Sequence, residues 1–147
     1  MKIKKMLSCL LSVILIFSIF SINTIIATAE TEYFTSDDGW RYYLNKQETI
    51  QIVGYWGVEK NITVPLEING IKVNGLQSMH NKNVEEITIP VGISLDYDEV
   101  FYDCTSLKMV NLPDDLETIK FRTFYGCSSL KSIDIPESVT LIEVCAF

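Results

Sequence analysis

Residues 101–113 read FYDCTSLKMVNLP, and residues 124–136 read FYGCSSLKSIDIP. The two strings share Phe, Tyr, Cys, Ser, Leu, Lys and Pro at matching places. The offset between them recurs in the surrounding sequence. Prolines stand at Pro65, Pro90, Pro113 and Pro136, with gaps of 25, 23 and 23. Phe101, Phe124 and Phe147 form one series at this period, and Cys104 and Cys127 form another. The apolar series are Val84–Leu107–Leu130, Ile87–Val110–Ile133, Ile89–Leu112–Ile135 and Ile93–Leu116–Val139, with Ile119 and Ile142 beside them. Self-similarity at a fixed period of this size marks a repeat architecture.

One full unit, residues 110–132, reads VNLPDDLETIKFRTFYGCSSLKS. Val110 and Leu112 are two apart, which is strand spacing. Pro113 then removes a backbone donor and stops regular pairing. Leu116, Ile119, Phe124, Cys127 and Leu130 follow at wider gaps that no single helix accommodates. An inward apolar group at every bend describes one turn of a solenoid. Such a turn has no partner for its own apolar face, so the turns above and below must bury it. Equivalent positions then stack near the 4.7–4.9 Å spacing of paired strands, and each series becomes a ladder. Burying one large ladder residue contributes about 1.5–3 kcal/mol.

The segment before the first unit differs. Residues 36–57, SDDGWRYYLNKQETIQIVGYWG, alternate apolar and polar around NKQE. Trp40, Tyr42 and Leu44 face one way, and Ile50 and Ile52 pair with them in a β-hairpin that caps the first apolar layer. The unit at residues 62–86 is two residues longer than the rest and carries EINGIKVNG, whose Asn-Gly forms a tight turn. In the unit starting at Ile87, Asp96 takes the place of Ile119 and Ile142. Either Leu95 swings inward through a bulge there, or the ladder breaks. The sequence stops at Phe147 inside a unit, leaving an uncapped apolar layer and a strand edge open to end-to-end self-association. The organisation read from these signals is a leader at 1–29, a capping hairpin at 30–61 and repeat units at 62–147, the last incomplete.

The strings VxxIxIP, LxxVxLP and LxxIxIP begin at Val84, Leu107 and Leu130. They match the LxxLxL strand signature of leucine-rich repeats. With the repeat period, the wording FYGCSSLKSIDIPESVTLIEVCAF at 124–147 and the opening ITVPLEINGIKV at 62–73, residues 40–147 closely resemble the BspA-type leucine-rich repeat family. The resemblance implies a right-handed, strand-rich coil with a parallel sheet on its concave side. It implies short strands, turns or single helical turns on the convex side. Family members are mostly secreted or surface proteins, often bacterial, associated with adhesion and with binding of host or matrix proteins.

The N-terminus carries its own signal. Lys2, Lys4 and Lys5 precede an apolar run at residues 7–20, and Ala27-Thr28-Ala29 has the small-x-small pattern of a signal peptidase site. Polar Ser21, Asn23 and Thr24 shorten any membrane span. A cleaved secretory leader is the reading preferred over an uncleaved anchor, and it places the rest outside the cell or at its surface. Cys9 precedes most of the apolar run and is therefore not a lipid-anchoring cysteine. Of 12 basic residues three lie in the leader, so 9 basic and 19 acidic residues remain, for a net charge of −10. That balance argues against nucleic acid or an anionic membrane surface as partner.

Groups with chemical potential are few. His80 is the single histidine and lies in the irregular SMHNKN stretch, with no signature of a nucleophile and acid beside it. Cys104 and Cys127 are ladder mates that could fall within disulfide range, and buried thiols are the reading preferred over a bridge. Asp96-Tyr97-Asp98-Glu99 has oxygen ligands but neither the glycine turn nor the spacing of a calcium loop. Zinc lacks its usual donor set, and no cofactor is expected. Asn61-Ile62-Thr63 fits a glycosylation sequon. Function then rests with the surface. The outward strand positions are Glu86, Met109 and Ser132 in one row and Thr88, Asn111 and Asp134 in the next, with Lys108 and Lys131 at the rim. These residues are the candidate contacts of a non-catalytic module that recognises an extracellular protein or glycan. The other reading is a spacer, or part of a longer array, with no ligand of its own.

Overall fold

The computed structural model describes residues 31–147. The basic head, the apolar run, Cys9 and the small-x-small site lie outside the described residues. The described chain is built on ten short strands. Strands β1 (Phe34–Thr35), β2 (Trp40–Leu44) and β3 (Ile50–Tyr55) form an antiparallel meander. In the β2–β3 hairpin Tyr42 faces Ile52 and Leu44 faces Ile50. The Asn45 side-chain oxygen accepts hydrogen bonds from the Gln47 and Thr49 amides at 3.0 and 3.1 Å, which closes the NKQE turn. Alternation sends Trp40, Tyr42, Ile50 and Ile52 into the core. The hairpin does not stand alone. Strand β6 (Ile71–Leu76) joins β3 in parallel, and β5 (Glu67–Ile68) folds back on β6. Between β5 and β6, Asn69 and Gly70 both take left-handed conformations, φ 54° and 78°, as a two-residue hairpin turn requires.

The stacked part follows. Strands β4 (Asn61–Thr63), β7 (Glu86–Thr88) and β8 (Met109–Asn111) form a three-stranded parallel sheet. Ile62 lies beside Ile87, and Ile87 beside Val110. Each strand is short because a proline two residues on, Pro65, Pro90 or Pro113, cannot donate to a ladder. Away from this sheet, β9 (Thr118–Ile119) pairs in parallel with β10 (Leu141–Ile142). Between the sheets the apolar series meet as ladders. The Phe101 and Phe124 rings stack at 5.3 Å with 3° between planes, and Phe124 and Phe147 at 5.4 Å and 17°. Tyr102 and Tyr125 stack alongside them at 5.6 Å. At the irregular position Leu95 is buried and Asp96 is exposed, its carboxylate accepting the Ser94 hydroxyl at 2.6 Å. The ladder therefore continues through Leu95.

The bends hold no helix among the described residues. Of the alternatives implied by the family resemblance, the bends take hydrogen-bonded turns and short strands. Glu99, Arg122 and Cys145 hold equivalent places in successive turns, and all take left-handed φ, 60°, 52° and 55°. Asp103 and Gly126 repeat the device at 55° and 77°. Such residues interrupt any right-handed helical turn.

The turn after β8 departs from the others. In the earlier turns Glu85 N bonds Lys60 O and Lys108 N bonds Glu85 O, both at 2.7 Å. At the strands' far ends Val64 N bonds Thr88 O at 2.9 Å and Ile89 N bonds Asn111 O at 3.0 Å. Among the described residues no such bond joins Lys131 to Lys108 or Leu112 to Asp134, and residues 131–134 form no strand. The same turn stays attached elsewhere, with Glu143 N bonding Ile119 O at 2.9 Å and Phe124 N bonding Ala146 O at 2.7 Å. Ile135, Leu141, Ile142, Val144 and Phe147 of this turn are exposed.

Candidate functional site

The β4–β7–β8 sheet has one face turned to the core and one turned out. Ile62, Ile87 and Val110 occupy the inner face. Strand alternation therefore places Asn61, Thr63, Glu86, Thr88, Met109 and Asn111 on the outer one. Asn111 Nδ2 donates to Thr88 Oγ1 at 2.9 Å, tying neighbouring strands through their outward groups. Met109 is 51 % exposed in the middle of this polar field. Of the eight residues singled out from sequence, Glu86, Thr88, Met109 and Asn111 share this face, and Lys108 stands directly before β8. Lys131, Ser132 and Asp134 are exposed, but they lie on the segment that leaves the sheet.

Charge is ordered along the sheet's leading edge. Glu85 reaches Lys60 with Oε1 at 2.6 Å and Lys108 with Oε2 at 2.5 Å. The hydrogen bond from Lys108, then that from Lys60, holds the Glu85 carboxyl down at about 2. Both ammonium groups are well exposed, so solvent screening keeps these pairs weak in stability terms. Beyond Lys108, where the chain parts from β8, a notch of about 440 Å³ opens, lined by Lys108, Ser128, Ser129 and Lys131.

The remaining groups are engaged or inert. Cys104 and Cys127 are buried free thiols. Burial pushes them up to about 11 and about 12, so both are protonated at neutral pH and poor nucleophiles. Cys127 Sγ donates to Phe101 O at 3.1 Å. His80 packs near the Tyr102 ring at 6.4 Å. In the DYDE stretch Asp96 is tied to Ser94, and Glu99 pairs with Arg122 at 3.3 Å. Among the described residues no three His, Cys, Asp or Glu side chains converge to hold a metal. Two features escaped the sequence reading. One is the pair Ser128 and Ser129 in the notch. The other is Arg41, whose guanidinium lies 5.2 Å from both the Tyr33 and Trp56 rings. Its signal was the hairpin alternation, which turns Arg41 away from the buried face of Trp40 and Tyr42.

Residues 58–147 match the family model described as the BspA type leucine rich repeat region, in six copies. Three solved structures share the fold at 26 % identity. A T. pallidum leucine rich repeat protein aligns with TM-score 0.61 over 74 % of this chain and 52 % of its own. A leucine rich cell surface protein from Faecalibacterium prausnitzii aligns with TM-score 0.59 over 79 % and 34 %. A leucine-rich repeat protein from Bacteroides ovatus aligns with TM-score 0.61 over 87 % and 32 %. The chain thus spans about half the length of the first and a third of the other two. No curated protein matches it.

Proposed function

Since the chain belongs to the BspA-type leucine-rich repeat family, we propose that it is a binding module whose outward β4–β7–β8 face recognises an extracellular protein or glycan without covalent chemistry. The observation that carries this reading is the registered outer face. Paired backbones fix Asn61, Thr63, Glu86, Thr88, Met109 and Asn111 in rows before any partner arrives. Sites built on paired strands lose less freedom on binding than sites on loops. An exposed methionine amid amide, hydroxyl and carboxylate groups offers apolar contact and directional hydrogen bonds together. Location outside the cell is supported by the basic head and apolar run at the N-terminus and by the cell surface description of the Faecalibacterium relative.

The test is a pull-down against extracellular material, comparing the chain with a variant carrying Met109→Ala and Asn111→Ala. The variant is expected to lose most capture while its melting temperature stays within about 2 °C, since both side chains are exposed. Undiminished capture by the variant would move recognition to another face.

A further inference from the structure

The column Lys60, Glu85, Lys108 runs along the leading edge of the stack, and in sequence Lys131 continues it one period on, on the segment that leaves the sheet. Its first two steps join opposite charges, with one carboxylate bridging two ammonium groups at 2.6 and 2.5 Å. Its third step brings a second lysine, where the earlier steps alternate in charge, to the same notch as Lys108. That is where the backbone bonds of the earlier turns are missing and where the notch of about 440 Å³ opens. Lys131 has no ion pair among the described residues, and the Ser128 and Ser129 hydroxyls have no hydrogen-bond partner within them. Two cations and two hydroxyl donors thus line one space, and of these only Lys108, bonded to Glu85, already has an acceptor among the described residues.

We propose that this notch binds an oxyanion, a sulfate, phosphate or carboxylate group, which stands between Lys108 and Lys131 as the Glu85 carboxylate stands between Lys60 and Lys108. Charge-assisted bonds from both ammonium groups supply the attraction. An anion held by both lysines offsets the like charge that closing this step would bring together and lets residues 131–134 draw in beside β8, so binding and pairing of the last strand position are coupled. The net negative charge of the chain opposes a distant anion, but screening at about 8 Å in physiological salt confines that opposition. The inference deepens the binding-module reading and rests on it only for the source of the anion.

The experiment titrates the full chain with sodium sulfate against sodium chloride at equal ionic strength, reading amide shifts and hydrogen exchange. Sulfate is expected to shift Ser128, Ser129 and Lys131 and to slow exchange at residues 131–134. Lys131→Gln is expected to weaken this binding about tenfold or more. Lys131→Glu should abolish it and slow exchange at 131–134 with no sulfate present, because the glutamate supplies the missing partner to Lys108. Equal response of the wild type and Lys131→Gln, shifts scattered over other lysines, or no shift would each overturn the proposal. A sulfated disaccharide binding more tightly than inorganic sulfate identifies a glycan as the source, and equal affinity identifies the free ion. Loss of pull-down capture in the Met109→Ala, Asn111→Ala variant alongside a failed sulfate titration would remove the notch and leave the sheet face standing. The reverse pattern would do the opposite.

Discussion

The middle turns and the last described turn are written in nearly the same letters, and the letters end up in different surroundings. Phe101 and Phe124 are 1 % and 2 % exposed, and Phe147 is 52 % exposed. Ile119 is 1 % exposed, while Ile142, which pairs with it, is 47 % exposed. Nothing in the residue types distinguishes these positions. A ladder residue is buried by its counterparts on both sides, so its worth is a property of the stack.

The largest effect to expect is at the Phe ladder. Phe124→Ala should cost about 3–5 kcal/mol, because a ring lies against each of its faces. Phe147→Ala should cost about 1 kcal/mol or less, since half of that ring already meets water. Urea unfolding of the two variants measures the difference, and similar losses would break the comparison. Next comes Ile119→Ala at about 2–4 kcal/mol against about 1 kcal/mol for Ile142→Ala, read in the same way. Gly126→Ala should cost about 1–3 kcal/mol. Its backbone is left-handed, and an added Cβ would collide with the Asp103 carboxylate. Thermal denaturation would show this, and an unchanged midpoint would mean that the bend can relax.

The smallest effect sharpens the comparison at the surface, where Lys60–Glu85–Lys108 is closed and Lys108–Lys131 is open. The Glu85 carboxyl is held down from 4.5 to about 2 by its two lysines. A depressed acid contributes stability above its ordinary value and loses it as pH falls toward the folded one. The melting temperature should therefore show a shallow decline between about pH 4.5 and pH 2 that Glu85→Gln removes. A decline of the same depth in the variant would assign it to other carboxylates.

Much of the stack was legible because repetition announces itself. The ladders at Phe101 and Phe124 and at Ile87 and Val110, and the hairpin pairing of Tyr42 with Ile52, follow from spacing and alternation alone. The bends were not legible. Glu99, Arg122 and Cys145 share a left-handed conformation and no side-chain chemistry, so no pattern of letters marks them. Of the short strands, turns or single helical turns that the resemblance implied, strands and turns are found among the described residues and no helix is. Leu95 and Asp96 were ambiguous because a one-residue shift exchanges inward for outward, and packing decided for Leu95. The outward face was half legible. Alternation identified Glu86, Thr88, Met109 and Asn111, but periodicity also predicted Ser132 and Asp134 beside them. It carried no information on whether that turn keeps its backbone bonds.

The Asn69-Gly70 hairpin has a consequence for how such a molecule can diversify. The stretch of chain from Asn61 to its partner Glu86 is longer than that from Glu86 to its partner Met109, yet all three strands keep register. The surplus length sits where β5 folds back on β6. Gly70 has nothing within 4 Å of where a Cβ would sit, so the tip projects into open space. Extra length at that corner is compatible with the register of β4, β7 and β8. Segments spliced between Asn69 and Gly70 are expected to point into solvent and to leave the β4–β7–β8 register in place, which makes this corner a port for grafted loops.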